Sequence, residues 1–149
     1  MIDGKRIVTN AHCVHNATVL QVQRQDHPKK WRARATTLAH DIDLAIVEVD
    51  EEDFWTDVSV ADLAPPSYSL DLYSEVIVIG FPLGGSTICV TKGVISRFDA
   101  QLYIHAQLEG VIETCKSNPG PVFLLQVDSA INSGSSGGPA LDEGGRVVG

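Results

Sequence analysis

Short β-branched segments, each closed by a glycine, proline or acidic turn, leave this chain little room for helices. Asp3-Gly4 reads as a turn, and Lys5 to Thr9 as the strand after it. Ala17 to Arg24 alternates apolar and polar residues, Gln25-Asp26-His27-Pro28 breaks the pattern, and Trp31 to Leu38 resumes it, which predicts a hairpin. Asp43 to Val49 reads as a buried strand, ended by the acidic run Asp50-Glu51-Glu52-Asp53, read as a solvated loop. After Pro65-Pro66, an extended connector and the best internal boundary, Glu75 to Ile79 and Ile88 to Phe98 are strands; Gly93 marks a bulge or sharp bend in the second. Gln101 to Glu113 fits helix or strand equally, and Ser117 to Pro121 is a loop. Val122 to Val127 is apolar, and Pro139 to Leu141 precedes a turn over Asp142 to Gly145 and a last segment, Arg146 to Gly149. Many short strands at even spacing argue an all-β barrel or sandwich in two unequal parts, residues 1–64 and 67–149.

Composition excludes several classes. The 149 residues carry 11 Lys and Arg against 19 Asp and Glu, a net charge of −8, which disfavours nucleic acid. The one cationic cluster, Lys29 to Arg34, reads as the solvated edge of the hairpin. Cys13, Cys89 and Cys115 give an odd count without framework spacing, so reduced thiols are expected. There is no Cys-x-x-Cys pair for zinc, no run of membrane-spanning length, and no signal-peptide core after Met1. Asn16-Ala17-Thr18 fits a glycosylation acceptor, which matters only in a secreted protein.

One stretch points to chemistry: Asn132-Ser133-Gly134-Ser135-Ser136-Gly137-Gly138-Pro139. Its glycines permit backbone angles that side chains forbid, and Pro139 argues against a helix starting here. A tight turn then holds Ser136 beside bare amides, as a nucleophile and an oxyanion hole require. A flexible Gly/Ser loop fits the same composition. Such a serine needs a base and an orienting acid. Five histidines are candidates: His12 at a strand end, His15 nearby, His27 in a turn, His40 and His105 at strand edges. Asp41 and Asp43 are the candidate acids, and Asp43 opens the most apolar strand. Gly134-x-Ser136-x-Gly138 also fits the nucleophile elbow of α/β-hydrolases, but the short tail after Ser136 contains no histidine. The order His12, Asp43, Ser136 is instead the chymotrypsin-like one.

Five blocks in sequence order resemble the Deg/HtrA serine proteases: Thr9 to His12, Asp43 to Val47, Gly80 to Gly85, Val90 to Arg97, and Asp128 to Pro139. Asp53-Phe54-Trp55, with Asn132-Ser133 before the glycine, is similar to the plant Deg type. The resemblance implies an all-β, chymotrypsin/trypsin-like double β-barrel with the active site between barrels. It implies a serine endopeptidase acting on unfolded or damaged polypeptides in protein quality control, with no cofactor and no metal. His12 is then the general base, Asp43 its orienting acid and Ser136 the nucleophile; the amides of Gly134, Ser135 and Ser136 form the oxyanion hole, and Ala130, Ile131, Asn132 and Ser133 line the substrate pocket, Ile131 suggesting a small or medium apolar preference. Relatives of this type assemble as trimers or multiples of trimers, and the plant type implies an organelle or the nucleus. The reading from another class is a non-catalytic remnant that binds peptides or partner subunits.

The chain departs from the family pattern in three places. Ser135 stands where asparagine is usual, Cys13 where an aliphatic residue is usual, and Glu113 to Pro121 looks like an insertion in a regulatory loop. An all-β barrel domain commonly runs roughly 200–250 residues. The family's opening strands, its last strands and any PDZ domain are missing from these residues. A fragment or a mis-assigned start is expected, poorly folded and inactive when expressed alone because strand edges and apolar faces lose their cover.

Overall fold

Alternation decides the strands. In Glu75–Gly80, Val76, Val78 and Gly80 are buried and the residues between them are half-buried, the period of two that a pleated strand imposes. The structure is a computed structural model that describes residues 1–25, 27–82, 85, 87–101 and 122–149. The ambiguous segment from Gln101 to Glu113, the insertion with Cys115, His105, and Leu83-Gly84 of the glycine block lie wholly or mainly outside the described residues.

Eight strands are described: β1 (Ile7–Thr9), β2 (Leu20–Gln23), β3 (Lys30–Ala39), β4 (Leu44–Glu48), β5 (Glu75–Gly80), β6 (Cys89–Gln101), β7 (Val122–Val127) and β8 (Ala140–Leu141). They form two four-stranded sheets, ordered β1-β4-β3-β2 and β7-β6-β5-β8, antiparallel throughout. The chain is all-β, as expected. The hairpin read from alternation is the β2–β3 pair, in the register Val22 to Trp31. β2 begins later than the alternation suggested, at Leu20, and Val19 is left exposed. β1 is also shorter than expected: Lys5 has a positive φ of 57° and belongs to the turn that begins at Asp3-Gly4.

Gly93 forms no bulge, and β6 passes from pairing β5 to pairing β7 just after it. The glycine pairs in regular register with Val76, and the irregularity falls later, between Ile95 and Arg97. A Cβ at Gly93 would lie 2.5 Å from the Ser129 nitrogen and 2.6 Å from Asp128 Oδ1. The glycine is there because the backbone after β7 crosses it closely. That crossing is tied down: Asp128 Oδ1 accepts the Val94 amide at 2.7 Å, and the buried Ser129 donates to Thr91 Oγ1 at 2.7 Å.

The first sheet carries two apolar clusters. Ala45 and Val47, on one face of β4, pack with Ala11 and Val14. Trp31 of β3 packs edge-on against Phe54, and Phe54 against Trp55. Burying each such ring stabilises the fold by about 1.5–3 kcal/mol. The acidic run does more than sit in solvent. Asp53 Oδ1 accepts the Trp31 indole N–H at 3.2 Å, and Lys29 pairs with Glu51 at 2.8 Å and with Asp53 at 2.7 Å. The cationic cluster predicted to be solvated is therefore in part neutralised by this run, with Arg34 on Glu48 and Asp50.

Beyond β8, Asp142 is buried in the expected turn. Its carboxylate accepts the Arg146 amide at 2.9 Å and Nε at 2.8 Å. The Arg146 amide first, then the Tyr68 hydroxyl and the Arg146 guanidinium, hold its pKa down to about 2. The last segment is pinned by Val147, whose carbonyl accepts the Ala64 amide and whose amide reaches the Asp62 carbonyl. Among the described residues no helix is long and apolar enough to cross a membrane.

Candidate active site

Three of the blocks that carry the resemblance meet through the turn at Asn10 to His12, Asp43 and the Ser136 loop. His12 lies on a single 3₁₀ turn, Ala11–Cys13, directly after β1. Small, fully buried Ala11 lets the turn sit against the start of β4, where its amide donates to the Asp43 carbonyl at 3.1 Å. Asp43 follows a second 3₁₀ turn, His40–Ile42, and precedes β4. It adopts the left-handed conformation, φ 52° and ψ 42°, which aspartate tolerates better than most residues but which still costs energy.

Hydrogen bonds offset that cost. Asp43 Oδ1 accepts the His12 amide at 2.9 Å, and Oδ2 meets His12 Nδ1 at 2.6 Å. The pair is buried on the carboxylate side, with 8% of the Asp43 side chain exposed against 27% for His12. The aspartate is thus shielded while the imidazole keeps an open edge. A carboxylate on Nδ1 favours the tautomer that carries its proton there and leaves Nε2 as the proton acceptor. Asp41, the other candidate acid, is exposed. The other described histidines have other roles. His15 Nδ1 lies 3.3 Å from the His12 carbonyl, His27 lies tilted against the Trp31 ring, and His40 meets the His15 ring edge-on. His12 is the histidine paired with a carboxylate among the described residues.

Two consecutive turns frame Ser136. The Ser135 amide donates to the Asn132 carbonyl at 3.1 Å, and the Gly138 amide to the Ser135 carbonyl at 3.0 Å. The chain reverses through Gly134 and Gly137, at φ 95° and 82°. Close packing fixes the loop on both sides. A Cβ at Gly138 would lie 2.1 Å from the Ile79 carbonyl at the end of β5, and one at Gly137 would lie 2.2 Å from Thr9 Oγ1 in the other sheet. Ser136 itself is exposed, and its carbonyl faces Cys13 Sγ at 3.7 Å.

The three expected oxyanion amides differ. That of Ser135 is already engaged within its turn, whereas those of Gly134 and Ser136 have no protein acceptor among the described residues. Ala130 to Ser133 run exposed from β7 into the loop, with Ile131 56% exposed. Cys13 is a free, exposed thiol, raised in pKa by burial and by the Asp43 charge. Among the described residues no cluster of metal-ligating side chains occurs.

Sequence reasoning passed over Asn10. Its side chain donates to the Asp43 carbonyl at 2.9 Å and accepts the Gly137 amide at 2.6 Å. The signal was its place two residues before His12, in a side chain able to donate and accept at once.

Solved structures with this architecture include the Rv3671c protease from M. tuberculosis. Its active form has a TM-score of 0.78 and 24% identity, over 100% of this chain and 59% of that one. Its inactive form has a TM-score of 0.74 and 24% identity, over 100% of this chain and 68% of that one. The fold is therefore the trypsin-like one. The trypsin-like peptidase domain family matches residues 1–149, and the chain belongs to that family.

Within it the similarity is to Deg/Do-like proteases. The chain is 36% identical over 149 residues to Protease Do-like 2, chloroplastic, of Arabidopsis thaliana, covering 100% of this chain and 22% of that protein. It is 39% identical over 142 residues to Protease Do-like 4, mitochondrial, of the same plant, covering 95% and 24%. To the serine protease DegP homolog of Plasmodium falciparum (isolate 3D7) it is 37% identical over 150 residues, covering 100% and 15%. The chain spans less than a quarter of the length of these relatives.

Proposed function

We propose that the protein is a serine endopeptidase of Deg/HtrA type that hydrolyses peptide bonds in unfolded polypeptides. The observation that carries this reading is the buried Asp43 carboxylate on His12 Nδ1, with the Ser136 loop hydrogen-bonded to the same turn. Ser136 Oγ attacks the peptide carbonyl as His12 Nε2 takes its proton. Asp43 holds the imidazolium in place. The negative charge on the former carbonyl oxygen is met by the Gly134 and Ser136 amides. Collapse of the tetrahedral intermediate breaks the C–N bond, and the amine leaves with the proton from His12. Water, deprotonated by His12, then hydrolyses the ester to release the second product and restore Ser136. Side chains, main-chain amides and water supply every group this mechanism uses, and no step calls on a cofactor. Ala130 to Ser133 flank the side chain before the cleaved bond.

The relatives' names place two of them in chloroplasts and mitochondria, and an organelle is the compartment we propose for this protein. A trimer or hexamer of the complete protein belongs to the same reading. Casein cleavage blocked by a serine-directed inhibitor supports the enzyme. Peptide binding without turnover would replace it with the non-catalytic reading.

A further inference from the structure

We propose that Asn10 is a positioning residue that sets the spacing between the acid–base pair and the nucleophile; this rests on the catalytic reading of His12, Asp43 and Ser136. An asparagine amide has one donating end and one accepting end. Here each end meets a main-chain group of fixed polarity. Nδ2 donates to the Asp43 carbonyl at 2.9 Å, which can only accept, and Oδ1 takes the Gly137 N–H at 2.6 Å, which can only donate. The partners therefore determine which way the amide faces.

Three segments meet on this one residue. Its own backbone begins the turn that carries His12, and its carbonyl closes that turn by accepting the Cys13 amide at 3.2 Å. Its donor grips residue 43. Its acceptor grips the residue after Ser136. Asn10 is half-buried, with φ −75° and ψ 144°, an extended conformation without strain. The hold on Asp43 is complete: its carbonyl takes Asn10 Nδ2 and the Ala11 amide, and its carboxylate takes the His12 amide and ring.

The hold on the nucleophile loop is thinner. A second polar contact between Ser136–Gly137 and the first sheet is the 3.7 Å approach of Cys13 Sγ, a weak donor, to the Ser136 carbonyl. Removing the Asn10 amide leaves the Gly137 N–H without its acceptor and the loop held by packing on Thr9. Proton transfer from Ser136 to His12 depends on tenths of an ångström, whereas substrate meets residues 130–133, which Asn10 does not touch in any described contact. The effect should therefore fall on kcat and leave KM in place.

The test is a steady-state comparison in the full-length protein, with rates normalised to folded protein by circular dichroism. Asn10→Ala should lower kcat about a hundredfold, the scale expected of a misplaced reacting group, with KM within about twofold. Asn10→Asp keeps an oxygen toward Gly137 and loses the donor to Asp43. It should lower kcat less, about tenfold, on the same scale. Hydrogen exchange at the Gly137 amide should speed up in Asn10→Ala and stay slow in Asn10→Asp. If Asn10→Ala does not fold, Asn10→Asp carries the kinetic test. A wild-type kcat per folded molecule in either variant, or a change confined to KM or to the melting temperature, would overturn the proposal. Ser136→Ala run beside them separates the two levels. Turnover that persists without Ser136 defeats the catalytic reading and the role of Asn10 with it; Ser136-dependent turnover with a flat Asn10 result defeats the role of Asn10 alone.

Discussion

The two sides of the candidate site are held by different physics. On the first sheet, Asp43 is fixed by directional bonds: its carbonyl and carboxylate receive the Asn10 side chain, the Ala11 amide, and the His12 amide and ring. On the second, the Ser136 loop has one short directional bond to the first sheet, Gly137 N–H to Asn10 Oδ1, and otherwise close approach, with glycines at 137 and 138 against Thr9 and Ile79 where no side chain fits. The His12–Asp43 pair can therefore stay assembled within one sheet, while the position of Ser136 depends on how the other sheet docks. Polar changes should damage the first side and its Asn10 link to the second, and added volume should damage the second.

The largest expected effect is common to both sides. Ser136→Ala should lower kcat by about 10⁶, the scale seen when a serine nucleophile is removed. Asp43→Asn should come next, with a loss of about 10⁴ and an intact fold, because the amide presents the wrong partner to His12 Nδ1. Asp41→Asn, at an exposed position two residues away, should stay within about threefold of wild type, as surface changes do. A sensitive Asp41 would reverse the assignment of the acid.

On the packed side, Gly137→Ala places a methyl 2.2 Å from Thr9 Oγ1 at a φ of 82°. Activity should fall about a hundredfold through displacement of the loop. Adding Thr9→Ala should restore part of it, and the strained φ should keep the recovery incomplete. Full recovery would show that the clash alone mattered; no recovery would show that contact with Thr9 does not seat the loop.

The smallest effect lies away from the site and is on stability. Asp142 ionises in the fold at about 2 against an ordinary 3.8. A depressed carboxylate contributes stability that is fully present above its unfolded pKa and is lost as pH falls through the folded value. Urea midpoints should therefore drop between 3.8 and about 2 in wild type, and less steeply in Asp142→Asn.

Much of the fold was legible because burial follows alternation. The existence of β5 and of the β2–β3 hairpin could be read from alternation, though not the start of β2, and the apolar run after Asp43 placed that residue at the entry to β4. What escaped was set by contacts distant in sequence. Gly93 looks like a bulge until the backbone at Asp128 and Ser129 is laid across it. Asp50 to Asp53 look like solvent until Lys29 and the Trp31 indole reach them. Asn10 looks like a filler between Thr9 and Ala11 until residues 43 and 137, far apart in the chain, arrive at its two ends. The Ser135 amide looked like a third oxyanion donor until the turn to Asn132 engaged it.

The central claim is that His12 and Asp43 activate Ser136 and no other hydroxyl. The direct measurement is fluorophosphonate labelling of the full-length protein, with the adduct mapped by mass spectrometry in wild type, His12→Ala and Ser136→Ala. The account predicts a single adduct on Ser136 in wild type, strongly slowed in His12→Ala and absent in Ser136→Ala. An adduct on Ser135, or labelling of Ser136 at the same rate without His12, would contradict it.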